Sequence, residues 1–444
     1  MEFFNQFMIA PDAQHLLLLR YLLVITLLIH VPYMAMAVGC TSLSLALNLV
    51  DRDRKVKTTP MLGRLAYDLM RIAVPNRVVP VLFGMLPLAA LWMIYGQWLY
   101  QSSVNTMNLF PAGVFVIAAG LLAAFMYKGT MYPGGQNRIV NLALGMAAVG
   151  TLIVGTYIVI GSVVRFQDPE RWHMTHDPIR TLTSFNIIWK HLFFVMSGFA
   201  MAGCGILYFF FDSSRRKPVM DPAYMKIAKN VGAALAMKGV LVLPVLGFFY
   251  MVTTPILAMS TEVYSVAIAA LIVLFIIFVL LYLVLASPTP RFGRLTFILL
   301  VVVFLLTGVW DQMTLVNATK EHSAMLVSRA EAREAKSKLE REKLGTDALK
   351  IDLALGENVF NTVCSTCHKM DERVVGPPLN TVLPKYAGKY DELVSYIQSP
   401  SKKDPEYPPM PAPSVNLLEI KSVAAFLLGQ DPGTLQGGGG GSGH

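Results

Sequence analysis

The chain has 444 residues, of which 55% are hydrophobic and only 15% are charged, and its formal net charge is +9. Soluble globular domains carry about 25% charged residues, so this composition excludes an ordinary water-soluble enzyme. Charged residues are almost missing from 78–211, whereas 315–350 carries a Lys, Arg or Glu every two or three positions. We therefore expect a membrane part followed by a water-exposed part.

Eight apolar runs are long enough to cross a bilayer, because a helix of about 20 residues spans the hydrocarbon. Lipid offers no water to unpaired backbone groups, so continuous apolar runs of this length predict helices. They occupy residues 18–40, 80–98, 110–127, 139–163, 184–211, 230–251, 262–286 and 294–312. The predicted fold is all-α: a polytopic membrane helix bundle over 1–314, a helical stalk over 315–350 and a small cytochrome-like domain over 351–432.

The distribution of Lys and Arg between the connections predicts the topology. Connections of one parity hold sixteen Lys and Arg residues, whereas 99–109 and 252–261 hold none and 164–183 holds three. Short basic loops stay on the cytoplasmic side of a membrane. Both termini are therefore predicted to face outward.

Lys238 is the one acid or base near the centre of a predicted span. Its burial in lipid costs about 2.5–3.5 kcal/mol on insertion scales, so it should face protein, water or a ligand. Two interpretations stay open: a structural partner such as a backbone carbonyl, or a haem propionate or quinone headgroup.

The stalk, residues 315–350, is rich in strong helix formers and in charge pairs four residues apart, which favours a helix that continues the eighth span. A disordered tether is the alternative. His322 on this stalk is expected to face solvent. The last residues, 433–444, are rich in glycine and resemble an engineered flexible linker with a truncated tag, so His444 is excluded as a ligand.

The strongest motif is Cys364-Ser365-Thr366-Cys367-His368, the CxxCH pattern of c-type haem attachment. Two thiols three positions apart can add to the two vinyl groups of one porphyrin, and the adjacent His368 imidazole can then reach the iron. A zinc site would need further Cys or His ligands, and this region has none.

Residues 351–430 resemble class I cytochrome c domains. Gly356 and Phe360 match the first helix of that family, and Val375-Gly376-Pro377-Pro378-Leu379 looks like its Gly-Pro-x-Leu loop. The resemblance implies that the Pro377 carbonyl orients His368 and that Met410 is the sixth ligand of one covalent haem c. Met410 as a core residue of its loop, with Met370 as the ligand, is the alternative. Covalent haem attachment also implies the outer side of a bacterial inner membrane.

Two histidines, His30 and His191, lie well within predicted spans. A buried imidazole needs a partner, which iron or a structural hydrogen bond would supply. Arg20, His30 and Gly39 in the first span, and His191 with Ser197-Gly198 in the fifth, resemble segments of subunit I of cytochrome bd oxidases over residues 14–250. The resemblance implies that His30 and His191 bind one or two haem b groups and that Arg20 contacts a propionate.

Departures from the bd family limit the resemblance: the third span has no acid, the Gly-Arg-Gln-Pro-Trp signature is missing and the loop between spans six and seven is short. Reduction of oxygen needs a proton relay, which usually uses carboxylates that this bundle lacks. We therefore expect an electron-transfer subunit of a respiratory complex in the bacterial inner membrane. His173 and His176 are expected to be exposed loop residues or contacts to haem or a subunit.

The predicted partners are other membrane and periplasmic subunits, membrane lipid and a soluble or complex-bound redox protein. Quinone is a further candidate ligand, and no nucleic acid is expected as a partner. One alternative function is a divergent bd-type terminal reductase of O2 or NO that is fed by its own cytochrome c. A second is a membrane anchor that carries only haem c. Whether the chain is itself an enzyme stays open between these interpretations.

Overall fold

The computed structural model describes residues 11–50, 59–104, 108–131, 138–174, 181–211, 221–287, 291–347 and 351–430. Every regular element in these ranges is a helix, which confirms the predicted all-α fold class. The chain divides into two compact units, Met1–Glu331 and Ala332–His444. The predicted glycine-rich tail over 433–444 lies outside the described residues.

The first unit is a bundle, and eight helices among its described residues are long and apolar enough to cross a membrane. Seven of them are continuous α-helices, and the second apolar stretch begins as a π-helix over Pro80–Met85 before it becomes α-helical. In chain order the α-helices of the unit are α1 Ala13–Val50, α2 Thr59–Ala73, α3 Leu86–Trp98, α4 Leu109–Thr130, α5 Arg138–Phe166, α6 Phe185–Phe211, α7 Pro222–Thr253, α8 Thr261–Ala286 and α9 Gly293–Ala318. The next helix, α10 Lys320–Asp347, begins in this unit and continues into the second.

Glycine allows the backbones of α1 and α6 to touch. A Cβ atom placed on Gly39 would lie 1.9 Å from the Gly198 carbonyl oxygen, and one placed on Gly198 would lie 2.7 Å from the Ala35 carbonyl oxygen. Small residues permit such contacts between membrane helices, where packing replaces the hydrophobic effect as the source of association. The crossing fixes α1 against α6 at one point of the bundle.

Helix α2 is an amphipathic helix that was not predicted from the sequence. Its residues Leu65, Leu69 and Met70 are fully buried, and its Asp68 carboxylate accepts a 2.6 Å hydrogen bond from the Tyr224 hydroxyl. The apolar positions recur every three or four residues between charged ones, so the segment is too polar to be found as a span. The helical spacing of its apolar residues is the sequence pattern that could have predicted α2.

The first turns of α10 pack against other parts of the first unit. The Trp98 indole N–H donates a 2.8 Å hydrogen bond to the Thr319 hydroxyl, between α9 and α10. His322 stands edge-on to Trp172, with 5.4 Å between the ring centres, and is half-buried. The expectation that His322 faces solvent is therefore wrong, because the beginning of α10 does not extend freely into water.

Burial makes the stability of this contact depend on pH. It lowers the pKa of His322 below its ordinary value, because the neutral ring is favoured there. The unfolded chain then binds a proton at His322 more tightly than the folded chain does. The contribution of the buried His322 ring to stability is therefore fully present above about pH 6.5 and is lost as the pH falls through the pKa of His322 in the folded protein. We expect the unfolding temperature to fall less for His322→Phe than for the wild type between about pH 7.5 and pH 5.5. Equal falls, measured by tryptophan fluorescence, would contradict this.

The second unit is a small helical domain built around a crossing of its first and last helices. Its helices after α10 are α11 Leu353–Val359, a π-helix Phe360–Cys364, α12 Leu379–Val382, α13 Tyr390–Gln398 and α14 Leu417–Leu428. A Cβ atom on Gly356 would lie 2.2 Å from the Ser422 carbonyl oxygen, so α11 and α14 touch at this glycine. Phe360 and Phe426 pack beside the crossing, with ring centres 5.9 Å apart.

Candidate functional site

A single turn brings Cys364, Cys367 and His368 together. The backbone N–H groups of Cys367 and His368 both donate to the Cys364 carbonyl, at 3.1 and 3.0 Å. Neither sulfur is part of a disulfide and both residues are partly exposed, and burial together with the neighbouring Cys367 raises the pKa of the Cys364 thiol. Two thiols and an imidazole on one turn form the donor set that covalent haem attachment needs.

The loop over 375–377 holds the His368 ring in place. Its Nδ1–H donates to the Pro377 carbonyl at 3.4 Å, and the Gly376 N–H donates to the Cys367 carbonyl at 2.9 Å. Gly376 lies directly against the imidazole, because a Cβ atom there would be 2.2 Å from His368 Cε1. A hydrogen bond from Nδ1 leaves Nε2 as the nitrogen that can bind iron, so these residues fit a haem c.

The contact at Gly376 predicts the effect of a single methyl group. Gly376→Ala places its Cβ only 2.2 Å from His368 Cε1, so the loop or His368 must move and the Nδ1 hydrogen bond is lost. We expect about a tenfold lower yield of haem c or a shifted haem spectrum, measured on purified protein. The neighbouring Val375 is half-exposed, so Val375→Ala is the matched control and should keep the wild-type spectrum.

Met410 and Met370 differ in their surroundings. Met410 is half-buried in the loop between α13 and α14, whereas Met370 is 45% exposed. The greater burial of Met410 favours it over Met370 as the sixth ligand, and this role stays a prediction.

A cavity of about 240 Å³ lies inside the first unit and is lined by residues of α1 and of α3 to α9. Its wall is mainly apolar and includes His30 and several other polar side chains. The polar lining residues are His30, Tyr95, Thr156, Lys190, Ser197, Tyr250, Thr307, Trp310 and Asp311. A largely apolar cavity with a few polar groups is typical of a cofactor or ligand site.

His30 donates its Nδ1–H to the Phe83 carbonyl at 3.3 Å. This carbonyl lacks its usual helical donor, because the residue four positions later is Pro87, which has no N–H. The same region of the second apolar stretch forms the π-helix Pro80–Met85. Pro87 thus leaves an acceptor for His30, and the bond leaves His30 Nε2 as the nitrogen with a free lone pair.

His191 is held differently. Its Nε2 lies 3.2 Å from the Thr156 hydroxyl oxygen, and that hydroxyl already donates to the Leu152 carbonyl at 2.7 Å. Thr156 therefore accepts from His191 Nε2–H, which leaves Nδ1 with the free lone pair. Thr156 lines the cavity, whereas His191 stands behind it, edge-on to Tyr157. The structure thus offers His30 more readily than His191 to a group in the cavity.

The crossing of α1 and α6 relates the heights of the two histidines. His30 lies nine residues before Gly39, and His191 lies seven residues before Gly198. As the first and fifth of eight successive spans, α1 and α6 run in the same direction, so both histidines lie on one side of the crossing, about 13 and 10 Å from it. The glycines that the sequence analysis noted therefore bring His30 and His191 to similar depth.

Lys190 and Asp311 form an ion pair at the cavity wall that the sequence analysis missed. The Lys190 ammonium lies 2.6 Å from the Asp311 carboxylate and 5.2 Å from the centre of the Tyr250 ring. Beside them, the buried indole nitrogen of Trp310 has no hydrogen-bond partner among the described residues. The bundle thus holds a carboxylate at its cavity, in the C-terminal part of α9. The sequence feature that could have indicated this ion pair is Lys190, a charged residue that directly precedes His191 in an apolar run.

Arg20, which was predicted to contact a propionate, is not among the residues that line this cavity. Lys238, for which a structural partner and a haem propionate or quinone headgroup were both left open, is not among them either. Arg20 is half-buried on α1, and its Nε atom has no hydrogen-bond partner among the described residues. Lys238 is exposed on the surface of α7. The side chains of His173 and His176 lie outside the described residues.

The residues around the cavity include side chains that are able to bind a haem iron. His30 presents a free Nε2, and Met34 and Met251 bring thioether sulfurs to the same cavity. Histidine and methionine are common axial ligands of electron-transfer haems. Lys190 and the unpaired Trp310 N–H are donors that suit a carboxylate or carbonyl oxygen.

Comparison with known proteins shows similarity to small cytochromes. The chain is 34% identical to cytochrome c-551 of Azotobacter vinelandii over 77 residues, which are 16% of this chain and 94% of that cytochrome. It is 31% identical to cytochrome c-551 of Pseudomonas denitrificans over 77 residues, with the same coverage. No family model matches the chain, and no solved structure matches it.

Proposed function

Through the domain that carries Cys364, Cys367 and His368, this chain belongs to the cytochrome c-551 family, and from this premise we propose that it is a membrane-bound b/c-type cytochrome. This membership supports an electron-transfer role for a covalent haem c. The eight apolar helices fit a multi-pass membrane protein. We propose that the chain exchanges electrons between a quinone pool or partner subunit in the membrane and a redox partner outside it.

One observation carries the proposal of a second haem site. His30 in the bundle and His368 in the cytochrome domain each donate Nδ1–H to a backbone carbonyl, of Phe83 at 3.3 Å and of Pro377 at 3.4 Å. A hydrogen bond of this kind fixes the ring and raises the basicity of the other nitrogen. We propose that His30 binds the iron of a haem b, and that His191 is a ligand of the same or a second haem b.

The polar end of the cavity supports a role for Lys190. Its ammonium and the Trp310 indole N–H would hold a haem propionate or a quinone oxygen, while Asp311 balances the charge of Lys190. A bound haem supplies one-electron chemistry, and the protein residues around it orient the group and exclude water. Arg20 stays a proposed propionate contact near the N-terminal end of α1.

The proposed location is the bacterial inner membrane, with the cytochrome domain on the periplasmic side. The positive-inside pattern supports this orientation, and the covalent haem supports it independently. Other membrane and periplasmic subunits of a respiratory complex are the proposed partners, together with a soluble or complex-bound acceptor or donor.

The function can be tested in vesicles that contain the purified full chain. We expect a short-chain ubiquinol to reduce haem c in the wild type, and expect at least about tenfold slower reduction in His30→Ala, because removal of a ligand removes the membrane haem. His15→Ala, on the same helix, is the matched control. Equal rates in His30→Ala and the wild type would show that electrons do not pass through the bundle.

Pro87 offers a finer test of the His30 site. Pro87→Ala restores an N–H that can donate to the Phe83 carbonyl in competition with His30. We expect haem b per haem c to fall by about tenfold, or the haem b potential to shift, measured by a redox titration. Pro111→Ala is the control, because Pro111 lies in the first turn of α4, where the missing N–H has no helical partner. An unchanged Pro87→Ala spectrum would contradict the role of Pro87.

Asp311 favours a second candidate function, a divergent bd-type terminal reductase of O2 or NO. A carboxylate at the cavity wall, paired with Lys190, is a group of the kind that proton uptake requires. This function predicts a ligand-accessible haem, so carbon monoxide should shift the spectrum of the reduced protein substantially. The absence of a shift would remove this candidate and leave the electron-transfer proposal intact.

A further inference from the structure

Lys238 lies at the middle of α7, on the outside of the bundle. Sixteen residues separate it from Pro222 and fifteen from Thr253 at the two ends of the helix. The side chain is exposed and has no hydrogen bond or ion pair with any described residue. A charged side chain at such a depth is costly in lipid and usually marks a functional contact.

Three other lysines of the apolar helices, all at least partly buried, show what such a side chain requires. The Lys190 ammonium pairs with the Asp311 carboxylate, the Lys229 ammonium donates to the Ser287 carbonyl and the Lys128 ammonium donates to the Val74 carbonyl. Each of these charges is satisfied within the described part of the chain. Lys238 differs from them because its ammonium faces outward.

The side chain of Lys238 is too short to reach the level of Lys229, the next lysine toward the start of α7. Lys229 is nine residues away, about 13 Å along the helix, which is longer than a lysine side chain. The ammonium therefore stays well inside the apolar part of α7 even when it bends toward Lys229.

The surface around Lys238 is an apolar stripe with helical spacing. Leu241, Val245, Phe248 and Val252 continue the stripe along α7, and each is between 54% and 65% exposed. Together with Lys238 they form one face, which we name the Lys238 face. An apolar face with one positive charge is complementary to an apolar helix with one negative charge.

A second copy of this chain cannot supply that negative charge. The acids within the eight apolar helices are Glu262, in the first turn of α8, and Asp311, which already pairs with Lys190. Two copies related by a two-fold axis through this face would bring Lys238 against Lys238. The partner must therefore be a different chain.

We propose that the Lys238 face binds a transmembrane helix of another protein chain, and that an Asp or Glu near the middle of that helix pairs with Lys238. This inference requires only that the bundle spans a membrane, and it is independent of whether haem b is present. It predicts a heteromeric membrane complex whose contact is fixed in register by one ion pair.

Cross-linking in native membranes tests the pair directly. Dicyclohexylcarbodiimide, an apolar carbodiimide, adds to a carboxylate, and the amine of Lys238 then attacks the activated acyl carbon. An amide bond forms, dicyclohexylurea leaves, and the two peptides together lose one water. We expect a peptide with Lys238 joined to an acid in an apolar segment of a different chain. The Lys190–Asp311 pair, at 2.6 Å, is the internal positive control.

Native gel electrophoresis of three variants provides the decisive test of the complex. We expect Lys238→Leu to lose the partner chain by at least about tenfold, because the partner's carboxylate is left unpaired. Lys238→Arg should keep the complex, and Lys226→Leu, at the exposed end of α7, should match the wild type. The proposal is wrong if Lys238→Leu migrates as the wild type does, or if Lys238 is linked to a second copy of this chain or remains unlinked while Lys190–Asp311 is recovered.

Discussion

Gly39→Val is expected to separate α1 from α6 and to abolish the proposed membrane haem site. A Cβ atom at this position would lie 1.9 Å from the Gly198 carbonyl oxygen, and backbone atoms of a packed helix cannot move aside as the end of a side chain can. We expect a loss of more than about 3 kcal/mol of stability, since overpacking against side chains alone costs 1–3 kcal/mol. His30 and His191 lie on the two helices that this crossing joins.

The measurements for Gly39→Val are the thermal unfolding temperature of the bundle and the ratio of haem b to haem c. The ratio should fall sharply, because the cytochrome domain belongs to the other compact unit and should keep its haem c. Gly150→Val is the matched control, since a Cβ atom on Gly150 in α5 meets nothing within 4 Å. A Gly39→Val protein with the stability and haem ratio of Gly150→Val would refute the role of the crossing.

The Cys364→Ala, Cys367→Ala double variant is expected to lose all covalently bound haem. Both thioether bonds require these sulfurs, and a haem held only by ligands is released when the protein is denatured. We therefore expect no haem-dependent peroxidase stain in a denaturing gel, whereas the wild type stains strongly.

The membrane site provides the internal control for the double variant. Its haem b should persist in the native spectrum, because His30 lies in the other unit. Ser365→Ala changes a residue of the same turn without removing a thiol, and it should stain as the wild type does. Covalent haem in the double variant would exclude Cys364 and Cys367 as the attachment sites.

Features that depend on neighbouring residues in the chain were predictable. The eight apolar helices follow from run length and composition, and the turn with Cys364, Cys367 and His368 follows from local spacing. Helix α2 was missed because its charged residues hide its apolar face in a search for spans. A feature can therefore be predicted when a short stretch of sequence contains most of the pattern that defines it.

Contacts between distant residues were not predictable from one sequence. Lys190 and Asp311 are 121 positions apart, and neither residue alone indicates the other. His30 and Phe83 are likewise 53 positions apart. Their hydrogen bond also depends on a further residue, Pro87, which leaves the Phe83 carbonyl without its usual helical donor. Lys238 was recognised as unusual from its position in a span, but only packing shows that it faces away from the bundle.

The most direct test of the proposed b/c cytochrome is the haem content of the purified full-length protein. A pyridine haemochrome assay together with a reduced-minus-oxidised spectrum distinguishes haem b from haem c and gives their ratio. We predict one or two haem b groups for each haem c, with the haem b signal lost in His30→Ala. Haem c alone in the wild type would contradict the proposal and would leave the bundle as a membrane anchor.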